Sequence, residues 1–202
     1  FGYFLGVFLA EGSYIWSDTK HHTPKALNIG LHEQEYDIAK RVGEYVRKAF
    51  NASYKIKKVK NKKAIIINIY GRVLSKLVLD LCGCYSVKKR LHNVIFNFPK
   101  NALLGIIHGY LDGDGWDEKK SMYVTTCSQQ LCNQLWYILN SLDFVTTITS
   151  YQPKAKNHKR YWRLTLSYNR YNTYIKSHTS PDRQQFFRTI DVSHLSDYFW
   201  FC

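Results

Sequence analysis

The sequence contains no run of about 18 apolar residues, so no stretch of it is expected to cross a bilayer as a helix. Paired CxxC spacing is missing as well. The 5 cysteines, Cys82, Cys84, Cys127, Cys132 and Cys202, are odd in number and scattered, which favours reduced thiols in an intracellular protein over a disulfide framework or a zinc site. The first residues, FGYFLGVFLAEG, lack a basic n-region and a cleavage site and are not expected to act as a signal peptide. Acid is scarce: Asp and Glu number 15 against 29 Lys and Arg, leaving a net charge of +14. That excess suits a polyanion, either nucleic acid or an anionic membrane surface. The membrane reading fails for want of a lysine-rich amphipathic helix. What remains is a globular composition, 45% hydrophobic and 16% aromatic over 202 residues, enough for one domain or two of about 100 residues.

The chain repeats itself. GYFLGVFLAEG places Gly2, Gly6 and Ala10 four apart and ends in Glu11 and Gly12; GIIHGYLDGDG places Gly105, Gly109 and Gly113 four apart and ends in Asp114 and Gly115. A second echo pairs SYKIKKVKNKK (53 to 63) with SYQPKAKNHK (150 to 159). Two copies of one unit follow, an N-terminal repeat over 1–98 and a C-terminal repeat over 99–202, joined by a polar linker at about 86–101 in which Pro99 opens the second glycine helix.

The first unit reads as a helix over 1–11, strands near 13–18 and 26–32, and a helix over 34–50 with an apolar stripe at Ile38, Val42, Tyr45, Val46 and Ala49. Strands near 53–59 and 63–70 and a helix near 72–82 complete it. The second unit repeats the order, with a helix near 128–141 and strands near 145–152 and 160–168. In the last of these, Trp162, Leu164 and Leu166 alternate with Tyr161, Arg163, Thr165 and Ser167, giving one apolar and one polar sheet face.

Residues four apart share a helix face, so each glycine series is a groove without side chains, suited to backbone contact with the other. Packed in parallel, the helices bring Glu11 and Asp114 together at their C-terminal ends, with Gly12 and Gly115 as left-handed closing residues. A carboxylate there opposes the helix dipole by a few tenths to about 1 kcal/mol, and two carboxylates also repel. Positive charge must compensate, and hard oxygen donors favour Mg²⁺ held between the two units. Asp112 aligns with Leu9 and is read as making a local hydrogen bond at the helix end. His21, His22 and His32 show no ligand spacing and are read as surface or DNA-contacting.

FLGVFLAEG (4 to 12) and IHGYLDGDG (107 to 115) resemble the two signature motifs of a single-chain LAGLIDADG homing endonuclease, and the FLAEGS form of the first is most similar to intein-encoded members. The resemblance implies an α+β, pseudo-twofold duplicated fold. Two antiparallel β-sheets form a DNA-binding saddle, with the two glycine-faced helices packed at its centre. It implies a monomer that makes Mg²⁺-dependent double-strand breaks in DNA at a long recognition site, with Mn²⁺ or Ca²⁺ able to substitute for binding. Carried over by position, Glu11 and Asp114 are the catalytic metal ligands, and the carbonyls of Ala10 and Gly113 are further ligands. Lys89, in KRLH, stands where intein-encoded members carry a basic residue before the second motif. Its second-half counterpart is Arg183, or Lys176.

DNA contacts are expected from Lys55, Lys57, Asn68 and Tyr70 in one sheet and from Tyr161, Arg163, Thr165 and Ser167 in the other. Phosphates would meet the loop cations, Lys58, Lys60, Lys62 and Lys63 in the first unit and Lys154, Lys156, Lys159 and Arg160 in the second. The rival reading is a cleavage-inactive regulator or RNA maturase on the same scaffold.

Overall fold

A computed structural model of the chain describes residues 1–17, 23–118, 121–153 and 159–167. The elements run α1 (Gly2–Glu11), β1 (Gly12–Trp16), β2 (Pro24–His32), α2 (Tyr36–Phe50), β3 (Ser53–Lys58), β4 (Ala64–Tyr70) and α3 (Arg72–Cys82). After a connector come α4 (Lys100–Asp114), β5 (Gly115–Glu118), β6 (Ser121–Thr126), α5 (Gln129–Ser141), β7 (Thr146–Tyr151) and β8 (Tyr161–Ser167). The strands form two antiparallel four-stranded sheets with the same order, β1-β2-β4-β3 and β5-β6-β8-β7. This is the duplicated α+β fold expected from the repeats.

Alternation along the strands decides which way each sheet faces. Leu27, Ile29, Ile65, Ile67 and Ile69 turn inward from the first sheet, and Met122, Val124, Leu164 and Leu166 from the second. They join Phe4, Leu5, Phe8, Leu104 and Ile107 of the central helices in a single core. Helix α2 covers the first sheet through Ile38, Ala39, Val42 and Val46, and α5 covers the second through Leu131, Leu135, Ile138 and Leu139. Ala49, expected in the α2 stripe, lies in its last turn and is exposed; Ala39 is buried instead. Asn51, with φ 51°, supplies the left-handed residue that ends α2.

The most extensive packing in the molecule joins α1 to α4, and the glycines explain it. A Cβ at Gly6 would lie on the Ile106 carbonyl oxygen and 2.7 Å from the Tyr110 nitrogen. A Cβ at Gly109 would lie on the Tyr3 carbonyl oxygen and 2.8 Å from the Val7 nitrogen. Tyr3 and Ile106, like Val7 and Tyr110, are 103 positions apart, the offset between Gly6 and Gly109, so each contact is the twofold image of the other. The helices run parallel, Gly2 meeting Ala102 at one end and Ala10 meeting Gly113 at the other.

Several local expectations are corrected. Gly12 and Gly115 are not left-handed: their φ, ψ values are −83°, 149° and −74°, 137°, extended backbone that leads straight from helix into strand. Glycine is required there by close approach, since a Cβ would strike the Phe8 ring in one case and the Leu111 carbonyl in the other. Pro99 does open α4, as expected, and stands as its N-cap. The second sequence echo matches loops, not strands. In the ladders, Ser13, Asn28, Asn68 and Lys55 form one row across the first sheet, and Trp116, Tyr123, Thr165 and Thr147 form the equivalent row across the second. Lys55 therefore corresponds to Thr147, and the SY pairs at 53 and 150 occupy opposite ends of their strands.

Candidate functional site

Glu11 and Asp114 are the last residues of α1 and α4, and the packing that joins the helices brings their ends together. A Cβ at Gly113 would sit 2.5 Å from the Ala10 Cβ and 3.2 Å from the Glu11 Cγ, so the seam closes tightly just before both acids emerge. Asp114 is exposed along one edge and Glu11 is half-buried.

The compensating positive charge comes from the chain itself. Lys89 reaches back from the connector after α3 and its Nζ donates to the last carbonyls of α1, at 2.7 Å to Leu9, 3.2 Å to Ala10 and 3.4 Å to Phe8. An ammonium on the carbonyl end of a helix is favoured by the dipole as well as by the bonds. Burial pushes the Lys89 pKa below the ordinary lysine value, while Asp114, Cys82 and Glu11 pull it back. For Asp114 the balance is the reverse: shielding from water by the helix pair raises its carboxyl pKa, and Lys89 and the Tyr110 hydroxyl draw it down. Lys89 therefore interacts with both acids.

The donors fit a hard divalent cation. Two carboxylates on adjoining helix ends offer anionic oxygens, and the Ala10 carbonyl, although engaged by Lys89, retains a second lone pair. Among the described residues no group of three or more His, Cys, Asp or Glu side chains gathers anywhere, so a cation held here would complete its shell with carbonyls, water or ligand oxygens, as Mg²⁺ commonly does.

Asp114 opens onto the polar face of the second sheet. Gly113, Asp114, Trp116, Tyr123, Thr125, Lys159, Tyr161 and Arg163 line a groove of about 730 Å³. Arg163 lies over the Tyr123 ring at 4.0 Å and near the Tyr151 ring at 5.1 Å, while Tyr151 and Tyr161 stack with ring centroids 5.3 Å apart. Thr165 lies in the row between Tyr123 and Thr147, and Ser167 pairs with Ser121 at the ladder's end. On the first sheet Lys55, Lys57 and Tyr70 are exposed and Asn68 half-buried, its Oδ1 accepting from Asn28 Nδ2 at 3.0 Å. Asn28 in turn lies 3.5 Å from Ser13 Oγ. Lys60 is exposed in the β3–β4 loop, whereas Lys58 pairs with Glu33 at 3.3 Å. Lys154, Lys156, Lys176, Arg183, His21 and His22 lie outside the described residues.

Ser13, Asn28, Trp116 and Tyr123 were not picked out from the sequence. The signal was available: Asn28 alternates with buried Leu27 and Ile29, and Trp116 follows Gly115 as Ser13 follows Gly12. His32 lies on the surface, as expected, and its Nδ1 accepts from Gln34 N–H to cap the turn at Glu33–Glu35. Asp112 is buried, lies 3.6 Å from His108 Nε2 one turn back in α4, and also accepts from the Tyr3 hydroxyl at 2.7 Å, a bond across the helix pair that the sequence did not suggest.

These features define a duplicated α+β protein with two polar sheet faces and paired acids at the ends of a glycine-packed helix pair. Comparison with known proteins shows which fold this is and what the chain resembles. Residues 101–178 match the LAGLIDADG-like domain, and the chain as a whole has the LAGLIDADG fold. A variant of the homing endonuclease I-DmoI, in complex with its target DNA and manganese, superposes with TM-score 0.62 at 15% identity, covering 82% of this chain and 85% of that one. I-DmoI with DNA and Mn gives 0.61 at 14% identity, covering 95% and 97%. At such identity the likeness is one of fold. Among curated relatives, a DNA polymerase of Thermococcus aggregans is 27% identical over 143 residues, 70% of this chain and 7% of that protein. An uncharacterized protein of Methanocaldococcus jannaschii is 30% identical over 154 residues, 74% and 18% respectively. The chain thus spans less than a fifth of the length of these relatives. No helix among the described residues is long and apolar enough to cross a membrane.

Proposed function

We propose that the chain is a site-specific DNA endonuclease that cuts both strands with the help of Mg²⁺ and works as a monomer built of two repeats, 1–98 and 99–202. The observation that carries this reading is the pair of carboxylates, Glu11 and Asp114, at adjoining helix ends, with the Lys89 ammonium bonded to the last carbonyls of α1. The two polar sheet faces and the net charge of +14 supply the surface for double-stranded DNA. The solved I-DmoI complexes hold target DNA, which supports the same partner here. The small share of each archaeal relative that is matched fits a module carried within a longer chain, as in intein-encoded members.

In this reading Glu11 and Asp114 hold Mg²⁺, with Mn²⁺ or Ca²⁺ able to take its place for binding, and the Ala10 and Gly113 carbonyls lie beside them. When bound, the metal supplies charge neutralisation at the scissile phosphates and lowers the pKa of water. Lys89 places a positive charge at one scissile phosphate, and Arg183 or Lys176 serves the other. Lys55, Lys57, Asn68, Tyr70, Tyr161, Arg163, Thr165 and Ser167 face the bases, while Lys60, Lys154 and Lys156 meet the backbone.

The test is selection of cleaved sites from a random duplex library in Mg²⁺, followed by Asp114→Asn on the selected site. The substitution keeps the helix seam and removes one anionic ligand, so DNA binding is retained and double-strand cleavage is lost. Equal cleavage by variant and parent would refute the metal assignment. Binding without cleavage by the parent would instead identify a regulator or maturase.

A further inference from the structure

The connector that carries Lys89 is held by the second repeat. Gln134 of α5 brackets Leu91 on both sides: Leu91 N–H donates to Gln134 Oε1 at 2.8 Å, and Gln134 Nε2 donates to the Leu91 carbonyl at 2.7 Å. Ser128, buried at the start of α5, donates from Oγ to the carbonyl of Lys89 itself at 2.6 Å. Arg90 and His92 N–H groups bond the Cys82 and Leu81 carbonyls at 2.9 and 2.8 Å, tying the same segment to the end of α3. The backbone from Lys89 to His92 is therefore clamped between α3 of the first repeat and α5 of the second, while its ammonium rests on α1.

We infer that Gln134 and Ser128 are positioning residues: the second repeat sets the place of the first repeat's Lys89, coupling the two halves at one cleavage centre. The inference rests on the endonuclease reading for its kinetic consequence, but its geometry does not. A side-chain amide that makes both possible bonds to one backbone unit fixes that unit in position and orientation. Gln134→Ala removes both bonds at once and lets the connector shift. Displacement of a reacting charge by about 1 Å is enough to cost up to about 100-fold in rate. Ser128 has a second duty, since its Oγ also accepts from Leu131 N–H at 3.2 Å and caps α5. Gln134 is thus the cleaner probe, with Ser128→Thr, which keeps the hydroxyl, as the conservative control.

Two measurements test this. The first needs neither metal nor DNA: limiting acetic anhydride is applied to the folded chain, and acetylation at Lys89 is read by peptide mass against exposed Lys76 as internal reference. Lys89 should react slowly in the parent and in Ser128→Thr, and about tenfold faster or more in Gln134→Ala, with Lys76 unchanged. Equal Lys89 reactivity in parent and Gln134→Ala would overturn the inference. The second uses end-labelled target duplex in Mg²⁺. Gln134→Ala should slow the same strand as Lys89→Ala, leave the DNA Kd unchanged, and add no further loss in the Lys89→Ala background. Equal slowing of both strands, or additive losses in the double variant, would refute positioning through Lys89 while leaving the endonuclease reading intact. A parent that cuts neither strand would refute that reading and the kinetic consequence with it, whereas the acetylation result would still decide the geometry.

Discussion

Gly109→Ala is the smallest change that tests the helix seam. The added methyl would lie on the Tyr3 carbonyl oxygen and 2.8 Å from the Val7 nitrogen, both backbone atoms of a helix that also packs against β2. Neither can rotate away, so α1 and α4 must part. Overpacking typically costs 1–3 kcal/mol, and a contact with rigid backbone on both sides belongs at or above the upper end, about 3 kcal/mol. For a chain of this size each kcal/mol lowers Tm by about 2–4 °C, so a fall of roughly 6–12 °C is expected by differential scanning calorimetry. Gly6→Ala, which would meet the symmetry-related Ile106 carbonyl, should cost a similar amount. Because one parting of the helices relieves both clashes, the double variant should lose less than the two singles added. Gly30 is the control: a Cβ there meets nothing within 4 Å, so Gly30→Ala should leave Tm unchanged or slightly raised. A Gly109→Ala Tm within a degree of the parent would refute the backbone-to-backbone seam.

The two sheet faces should read DNA differently. Asn68→Ala, which removes an amide from the Ser13–Asn28–Asn68–Lys55 row, should relax sequence preference in one half-site, whereas Trp116→Ala should weaken binding with little change in preference, both measured by base-pair substitution across the selected target. Uniform weakening in both variants would show that the Asn row does not read bases. Alkaline stability should respond to Cys82, whose thiol is pushed up to about 12 by burial. The fold favours the thiol form, so this stabilisation is complete below the ordinary thiol pKa and is lost as pH rises through it toward about 12. Buried Tyr14 and Tyr110 act in the same direction and Lys89 in the opposite one. The urea midpoint should fall between about pH 9 and 11, and Cys82→Ala should flatten that slope; an unchanged slope would remove Cys82 from the account.

What the sequence disclosed was whatever repeats locally. Glycine at every fourth position is visible in any ten residues and has one steric meaning, so the parallel helix pair followed from Gly2, Gly6, Gly105, Gly109 and Gly113. Strict alternation in YWRLTLS showed the two faces of β8 before its partners were known. The misassigned features depend on contacts that residue type alone does not reveal. Asp112 accepts one of its hydrogen bonds from Tyr3, 109 positions away. The register of β7 is set by its ladder with β8, where Tyr151 faces Tyr161, and the longer β7–β8 loop displaces the matching SY letters by nearly the length of the strand. Gly12 and Gly115 suited a left-handed closing residue by type. Their true constraint is contact with the preceding helical turn, which appears only once the strand is seen to start without a loop. The motif resemblance proposed Lys89, but the carbonyls it rests on, and the α5 residues that hold its backbone, could not be read from spacing.

The local charge at the seam runs against that of the whole molecule. Glu11 and Asp114 contribute two negative charges and Lys89 returns one, while two helix C-termini bring about half a negative charge each, leaving a centre of about −2 in a chain of net charge +14. The surface charge draws a polyanion in, and the centre would repel the phosphates it receives unless a divalent cation makes up the difference. On the proposed endonuclease reading the metal would then serve the accommodation of DNA as well as chemistry, and it should bind without DNA. A ligand present at ten times its Kd stabilises the fold by about 1.4 kcal/mol, worth a few degrees in Tm at this chain length. Millimolar Ca²⁺, which supports binding without requiring turnover, should therefore raise the Tm of the DNA-free parent. NaCl at matched ionic strength should not, and the rise should shrink in Asp114→Asn. An equal rise in that variant would place the cation elsewhere. No rise in the parent would mean that Lys89 already offsets enough of the charge of the acids and helix ends, and that a metal enters only with the phosphates of the DNA.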